Sequence, residues 1–292
     1  MKPAPFEYAA PQSLEEAVGL LQQHGDEAKV IAGGQSLVPL LAFRLAAPSL
    51  LVDLNAIREL EYARLEGDTL VLGALARHRA VERMTELATR CPMLAEGVSV
   101  IGHVAIRNRG TVGGSLAHAD PAAEWPSLAL ALDAEIDVVG PGGARTVPAS
   151  AFFESYFTTV LTPEEIVREI RLHLPNGGRT GSAYLELARR HGDFALAGVG
   201  AMLTLDEGGL IADARVALIG VRDTAVRSAA AEGVLRGDAP SPELFAEAAE
   251  AVQDEIDPVS DVHGSSGYRR HLAEVLVGRA LRRAGERAEA GA

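Results

Sequence analysis

Lys29-Val30-Ile31-Ala32-Gly33-Gly34-Gln35-Ser36-Leu37-Val38-Pro39 is a short β-branched run that stops at a double glycine and continues at once with an amide and a hydroxyl. Glycines at such a place let the backbone approach a ligand and turn its N–H groups outward. Gln35 and Ser36 add side-chain donors, so the loop is suited to cradling a diphosphate. By itself a double glycine after a strand is more often just a turn. A second loop, Arg107-Asn108-Arg109-Gly110-Thr111-Val112-Gly113-Gly114-Ser115, repeats the theme of paired glycines flanked by hydroxyls. Two such loops closing from opposite sides suit a dinucleotide held by amides and hydroxyls instead of by lysine or arginine.

Outward from the first loop, Ser13-Leu14-Glu15-Glu16 reads as a capping box, and Leu14, Ala17, Val18 and Leu21 follow at helical spacing. Lys29–Ala32 and Leu50–Leu54 read as strands, with a short helix or turn over Leu37–Leu45, which Pro39 interrupts. Past Asn55, Tyr62–Leu65 and Thr69–Gly73 read as paired strands, followed by helices over about 79–90, 93–104 and 126–132. Glu135–Val139 reads as a strand ending in a Gly140–Gly143 hairpin turn, and Glu169–Leu174 alternates as a half-exposed strand. Pro175-Asn176-Gly177-Gly178 is the clearest linker. Beyond it, Ser182–Leu187, Gly198–Leu205 and Ile211–Ile219 read as strands, then helices at about 225–235, 242–255 and 267–285, with an Arg- and Ala-rich tail after 280 expected to fray.

Composition narrows the chemistry. The chain has 292 residues, enough for two or three compact units, and a net charge of −13, which argues against a general nucleic-acid or anionic-membrane binder. No apolar run approaches the roughly 18 residues needed to span a bilayer and no signal-peptide pattern opens the chain, so a cytoplasmic protein without membrane insertion is expected. Cys91 is the single cysteine, which rules out an internal disulfide or a cluster ligated by several thiolates of this chain. It is expected to be a small packing residue. The eight histidines show no metal-ligand spacing. Gly-x-Gly-x-x-Gly, the P-loop and the Gly-x-Ser-x-Gly elbow are all missing, so redox chemistry would come from a bound organic cofactor.

Ala32–Ser36 and Arg107–Ser115 resemble the two FAD-diphosphate loops of molybdenum hydroxylases, in the form of the separate FAD-binding medium subunit of the carbon monoxide dehydrogenase and xanthine dehydrogenase family. The resemblance extends to Leu161-Thr162-Pro163-Glu164-Glu165-Ile166 and to Arg189-Arg190-His191-Gly192-Asp193-Phe194-Ala195. It implies an α+β architecture: a vanillyl-alcohol-oxidase-like (PCMH-type) FAD-binding fold of two α/β subdomains, residues 1–56 and 57–176. A C-terminal antiparallel three-stranded sheet with helices would fill 177–292. It implies FAD contacts from Ala32, Gly33, Gly34, Gln35 and Ser36 and from Thr111, Val112, Gly113, Gly114 and Ser115. Ile101 and Leu161 would be apolar contacts, and Glu124 would stand where the family carries an acidic ligand, usually Asp. Phe194 occupies a position where relatives have Tyr beside the flavin, Glu186 one where they often have lysine, and Ser115 one where Asn or Asp is common. His118 has no assignable chemistry.

The function so implied is electron transfer, with no side chain acting as base or nucleophile and no metal ligands in this chain. A large subunit with the molybdenum cofactor and a small subunit with two [2Fe–2S] clusters would complete a heterotrimer or its dimer, and FAD would deliver the electrons to an external acceptor. A stand-alone flavoenzyme and a degenerate scaffold are the alternatives.

Overall fold

The computed structural model describes residues 2–175 and 177–291. The first sheet is parallel, with strands β1 (Glu7–Ala9), β2 (Ala28–Ile31) and β3 (Leu50–Asp53) in the order β1-β3-β2. Helix α1 (Leu14–His24) crosses from β1 to β2 and buries Ala17, Val18 and Leu21. Ser13 Oγ accepts the Glu16 N–H at 3.2 Å, as a capping box requires, but the Glu16 carboxylate reaches back one residue further, to the Gln12 N–H at 2.8 Å. Helix α2 (Leu37–Ala42) follows the first glycine loop. Pro39 is its third residue, inside the first turn where a backbone N–H has no intrahelical partner, so the helix tolerates it.

The second sheet is antiparallel. Strands β4 (Ala63–Glu66), β5 (Thr69–Gly73), β6 (Glu135–Gly140) and β7 (Gly143–Pro148) flank a central strand, and β8 (Phe153–Ser155) and β9 (Thr158–Thr159) form a separate ribbon. The central strand is β10 (Ile166–His173), giving the order β4-β5-β10-β6-β7, with Ile170 and Leu172 fully buried. Between β5 and β6 lie α3 (His78–Glu82), α4 (Leu87–Arg90), α5 (Pro92–Val100), α6 (Val104–Arg107), α7 (Val112–His118) and α8 (Glu124–Ala131). The helices expected over 79–90 and 93–104 are therefore each divided. At the second break Gly102 takes φ 48°, and the Arg107 guanidinium accepts the task of capping, donating to the Ile101 and Gly102 carbonyls at 2.9 and 3.1 Å.

The third sheet comprises β11 (Arg179–Ala188), β12 (Ala195–Leu205), β13 (Ile211–Ile219) and β14 (Val226–Arg227), all antiparallel. The two-residue β14 makes it four-stranded instead of three-stranded and delays the next helix, α9 (Ala229–Leu235), which Ser228 caps. Helices α10 (Pro242–Ala251) and α11 (Ser266–Ala290) complete the chain. The tail expected to fray is the last part of α11. Ala284 and Ala288 are fully buried, and Arg283 and Arg287 both reach Glu96, at 2.9 and 2.7 Å. Within the 175–178 linker, Asn176 lies outside the described residues.

This sheet is covered on both faces, by α11 on one and by α5 and α8 on the other. Side chains alternate along a strand. In β11, Leu185 accordingly joins the C-terminal core, while Tyr184 joins the central core against Gly97 of α5. Glu186 shares the face of Tyr184.

Candidate functional site

The two glycine loops meet. A Cβ on Gly33 would lie 2.4 Å from the Arg109 carbonyl oxygen and 2.8 Å from Gly110 Cα, so the backbones are in contact and only glycine fits. Gly34 takes φ 69°, and the Gln35 amide donates to the Gly33 carbonyl at 2.9 Å, so this side chain folds its own loop. Ala32 faces Gly114 across the junction, where a Cβ on Gly114 would sit 3.9 Å from that of Ala32.

Two residues that sequence patterns did not single out lock the junction. Asn55, just beyond β3, donates its side-chain amide to the Ala32 carbonyl at 2.8 Å and receives Arg77 on its side-chain oxygen at 2.6 Å. Arg77 also donates to the Arg109 carbonyl at 2.6 Å. One guanidinium thus links the two loops, directly to the second and through Asn55 to the first. Arg77→Ala is expected to weaken FAD binding about tenfold, since each charge-assisted bond contributes roughly 1.5–3 kcal/mol and part of that loss falls on loop order. Equilibrium titration of the apoprotein with FAD checks it.

The loops differ in the donors they leave free. Among the described residues, the N–H groups of Gly34, Gln35 and Ser36 meet no acceptor, and neither the Ser36 nor the Ser115 hydroxyl is engaged. In the second loop, Gly113 N–H donates to the Ala74 carbonyl at 3.0 Å, Gly114 N–H to Thr111 Oγ1 at 3.2 Å, and Ser115 N–H to the Thr111 carbonyl at 3.0 Å. Glycine at 113 is required by packing, because its Cβ would meet Ala74 at 2.7 Å. Val112 is buried in the central core, and Thr111 is buried as the cap of α7. The first loop offers amides; the second offers hydroxyls and a rigid wall.

Below that wall, Trp125 Nε1–H donates to His78 Nδ1 at 3.0 Å, and a Cβ on Gly110 would touch the His78 ring at 2.7 Å. Burial, with Arg107 and Arg77 nearby, lowers His78 to about 3, so the ring is neutral. Its ordinary value is 6.5, so the unfolded chain binds the extra proton as pH falls. Stability that depends on neutral His78 is complete above about pH 6.5 and is lost progressively as pH falls towards about 3. His78→Asn, which has no group titrating there, is expected to flatten the decline of melting temperature with acidification between pH 6.5 and 4.5.

The remaining candidates are distributed as follows. Ile101 is buried in the central core, and Leu161 packs half-buried at its edge. Phe194 is 63 % exposed. His118 lies against Phe157, ring centroids 5.1 Å apart, and burial lowers its proton affinity. Glu124, the first residue of α8, is 6 % exposed, and burial, with Glu186 nearby, pushes it up to about 8. Glu186 is held up to about 7 by burial. Cys91 is fully buried, its thiol pushed up to about 11 by desolvation, as befits a packing residue. Among the described residues, no group of His, Cys, Asp or Glu is arranged to hold a metal ion, and no helix is long and apolar enough to cross a membrane.

A family model described as the FAD binding domain in molybdopterin dehydrogenase matches residues 4–176, and one for the CO dehydrogenase flavoprotein C-terminal domain matches 182–284. The chain is 43 % identical over 289 residues to the alpha subunit of the 6-hydroxypseudooxynicotine dehydrogenase complex of Paenarthrobacter nicotinovorans, covering 99 % of this chain and 97 % of that one. It is 40 % identical over 281 residues to the carbon monoxide dehydrogenase medium chain of Hydrogenophaga pseudoflava, covering 96 % and 97 %. A solved structure of carbon monoxide dehydrogenase from that organism superposes with a TM-score of 0.94 at 41 % identity, over 98 % of this chain and 99 % of that one. Quinoline 2-oxidoreductase from Pseudomonas putida 86 gives 0.91 at 37 % identity, over 99 % of both. The antiparallel C-terminal sheet and the PCMH-type fold thus agree with the resemblance, and FAD is the cofactor. The chain belongs to the FAD-binding subunits of the molybdenum hydroxylases, the oxidoreductase family that includes the carbon monoxide dehydrogenase medium chains.

Proposed function

We propose that this chain is the electron-transfer subunit of a molybdenum hydroxylase complex, receiving electrons from [2Fe–2S] clusters on a small partner and delivering them to an external acceptor. The observation that carries this reading is the backbone contact between the two glycine loops at Gly33, beside three amides without acceptors. Gly34, Gln35 and Ser36 would hold the diphosphate through N–H groups, with the Ser36 and Ser115 hydroxyls adding donors. Ala32 and Thr111–Gly114 would form the wall that orients it. Ile101 and Leu161 would exclude water at the core edge, and Glu124 would face the cofactor from α8. When bound, FAD supplies the ability to take electrons singly or in pairs and release them in either mode. Residues 1–56 and 57–176 would clasp it, with 177–292 closing the flavin side.

The partners follow from ligand chemistry. A [2Fe–2S] cluster takes four protein ligands, typically thiolates, and Cys91 is the only cysteine here. Clusters therefore belong on another chain, and so would the molybdenum cofactor and the choice of substrate, in a heterotrimer or its dimer. The test is to express the chain alone and with candidate small and large subunits. Flavin absorption and heat-released FAD are expected from the chain alone, and substrate-driven bleaching of the flavin only from the complex. A colourless chain that fails to take up added FAD would overturn the reading, and substrate turnover by the chain alone would make it a stand-alone flavoenzyme.

A further inference from the structure

The surface beside the first glycine loop is unlike the rest of the chain. Charged residues make up 23 % of the sequence, yet residues 30–52 hold only one, Arg44. Large apolar side chains are exposed there: Val38 at 51 %, Phe43 at 62 % and Leu45 at 76 %. Pro39, also exposed, stands four residues before Phe43 and therefore on the same side of α2. Val38 touches the loop itself, since a Cβ on Gly34 would lie 3.1 Å from Val38 Cγ2. The end of α2 is a Schellman motif, in which the Arg44 N–H donates to the Leu41 carbonyl at 3.0 Å and the Leu45 N–H to that of Leu40 at 2.9 Å. Its left-handed position usually carries glycine, but here Arg44 takes φ 57°. The residue after it ordinarily packs back on the helix, whereas Leu45 is the most exposed of the three. Arg44 Nε donates to the Lys2 carbonyl at 3.2 Å, and among the described residues its guanidinium pairs with no carboxylate. Phe43, Arg44 and Leu45 are thus presented together on a backbone that the fold alone would give to glycine.

An exposed apolar surface with an unpaired arginine has the composition of an interface core, where aromatic residues and arginine are favoured. We propose that this corner of α2, formed by Val38, Pro39, Phe43, Arg44 and Leu45 with Lys2 at its edge, docks the small [2Fe–2S] subunit. This rests on the reading that the chain takes electrons from that subunit's clusters. Two features select this occupant. One is distance: electron transfer weakens steeply with separation, and the whole of α2 extends only about 9 Å from the unengaged amides of Gly34, Gln35 and Ser36. The other is charge. A [2Fe–2S] cluster on thiolates is negative in either redox state, because sulfide and thiolate together outweigh its irons. Lys2 and Arg44 supply the complementary sign beside an acid-free stretch, although the chain as a whole carries −13. A second copy of this chain would instead set the same cations against each other.

The test uses the FAD-loaded chain and the [2Fe–2S] subunit of its complex, with the clusters reduced beforehand and the reductant removed. Flavin bleaching on rapid mixing, followed against the concentration of that subunit, gives both the affinity and the limiting rate of electron transfer. Leu45→Glu should weaken binding about 100-fold and Phe43→Ser about tenfold, with FAD content unchanged. Arg44→Gly is the decisive variant. It should melt at or above the wild-type temperature, because the left-handed backbone suits glycine, yet bind about tenfold more weakly and with a flatter dependence on salt. A residue that only shaped the fold would not separate those readouts. Wild-type affinity in both Leu45→Glu and Arg44→Gly, with FAD in place, would overturn this surface while leaving the electron-transfer reading intact. Variants that abolish self-association of the chain in light scattering, without changing affinity for the cluster subunit, would also overturn it and mark a second copy as the occupant. No bleaching of wild-type flavin by the reduced subunit at any concentration would overturn the electron-transfer reading, and the docking surface with it.

Discussion

Gly33→Val is expected to leave a folded protein that purifies without FAD. Its Cβ would stand 2.4 Å from the Arg109 carbonyl oxygen and 2.8 Å from Gly110 Cα, both backbone atoms that no rotamer change can move. Arg109 is also tied to Arg77, and Gly110 rests on His78, so neither can retreat without disturbing the second loop. Relief must come from parting the loops, and parting them removes the cleft. We expect FAD affinity to fall at least 100-fold, equivalent to about 2.7 kcal/mol. The fold itself should lose less, because the affected contact lies at the rim of the N-terminal core. Gly142→Ala is the matched control: no atom lies within 4 Å of its Cβ, and it should retain FAD fully. Spectrophotometric FAD-to-protein ratios, together with far-ultraviolet circular dichroism, separate the two effects. A Gly33→Val protein that holds stoichiometric FAD would remove the main support for the two-loop site.

Why the loops were legible in the sequence is itself physical. A backbone-to-backbone approach excludes every side chain, so it leaves a glycine in the sequence wherever it occurs. The same rule limits how far the reading goes. Gly33 and Gly113 look alike in sequence, yet the first makes the junction between loops and the second packs on Ala74. Asn55 and Arg77 were not legible at all, because a polar residue after a strand is ordinary and its partner is fixed only by tertiary placement. Likewise Glu186 reads as an outward strand residue until β11 is packed beneath α5, where it is half-buried. The break after Val100 was missed because what holds it is Arg107, on the short helix that follows, donating to the carbonyls of Ile101 and Gly102. The alternating strands of the third sheet were read well because both faces are buried and the pattern is dense, whereas β14 is too short to carry a period.

The C-terminal helix offers the second large effect, on stability. The sequence after residue 280 is rich in arginine and alanine, a composition that suits a solvated end, yet β11 depends on it. A Cβ on Gly181 would lie 2.0 Å from the Ala284 carbonyl oxygen and 2.4 Å from the Ala288 nitrogen, so the helix backbone lies directly on the strand. Arg287 donates to the Ser182 carbonyl and to Glu96, and Glu96 in turn accepts the Tyr184 N–H at 2.9 Å. Small residues on both sides allow the approach, and the arginines satisfy the polar groups it buries. Gly181→Val would push the helix away from the strand and leave the Ser182 carbonyl and the Glu96 carboxylate short of partners. We expect a loss of about 3 kcal/mol, combining overpacking of roughly 1–3 kcal/mol with the weakened polar contacts. Ending the chain after Leu281 should cost a similar amount, since it removes Arg283, Arg287 and both buried alanines together. Gly278→Ala, in the same helix with nothing nearer than 3.9 Å, should instead be neutral or stabilising by up to about 1 kcal/mol. Urea unfolding of the three variants distinguishes a packed helix from a frayed one. If truncation leaves the midpoint unchanged, the tail does not hold β11.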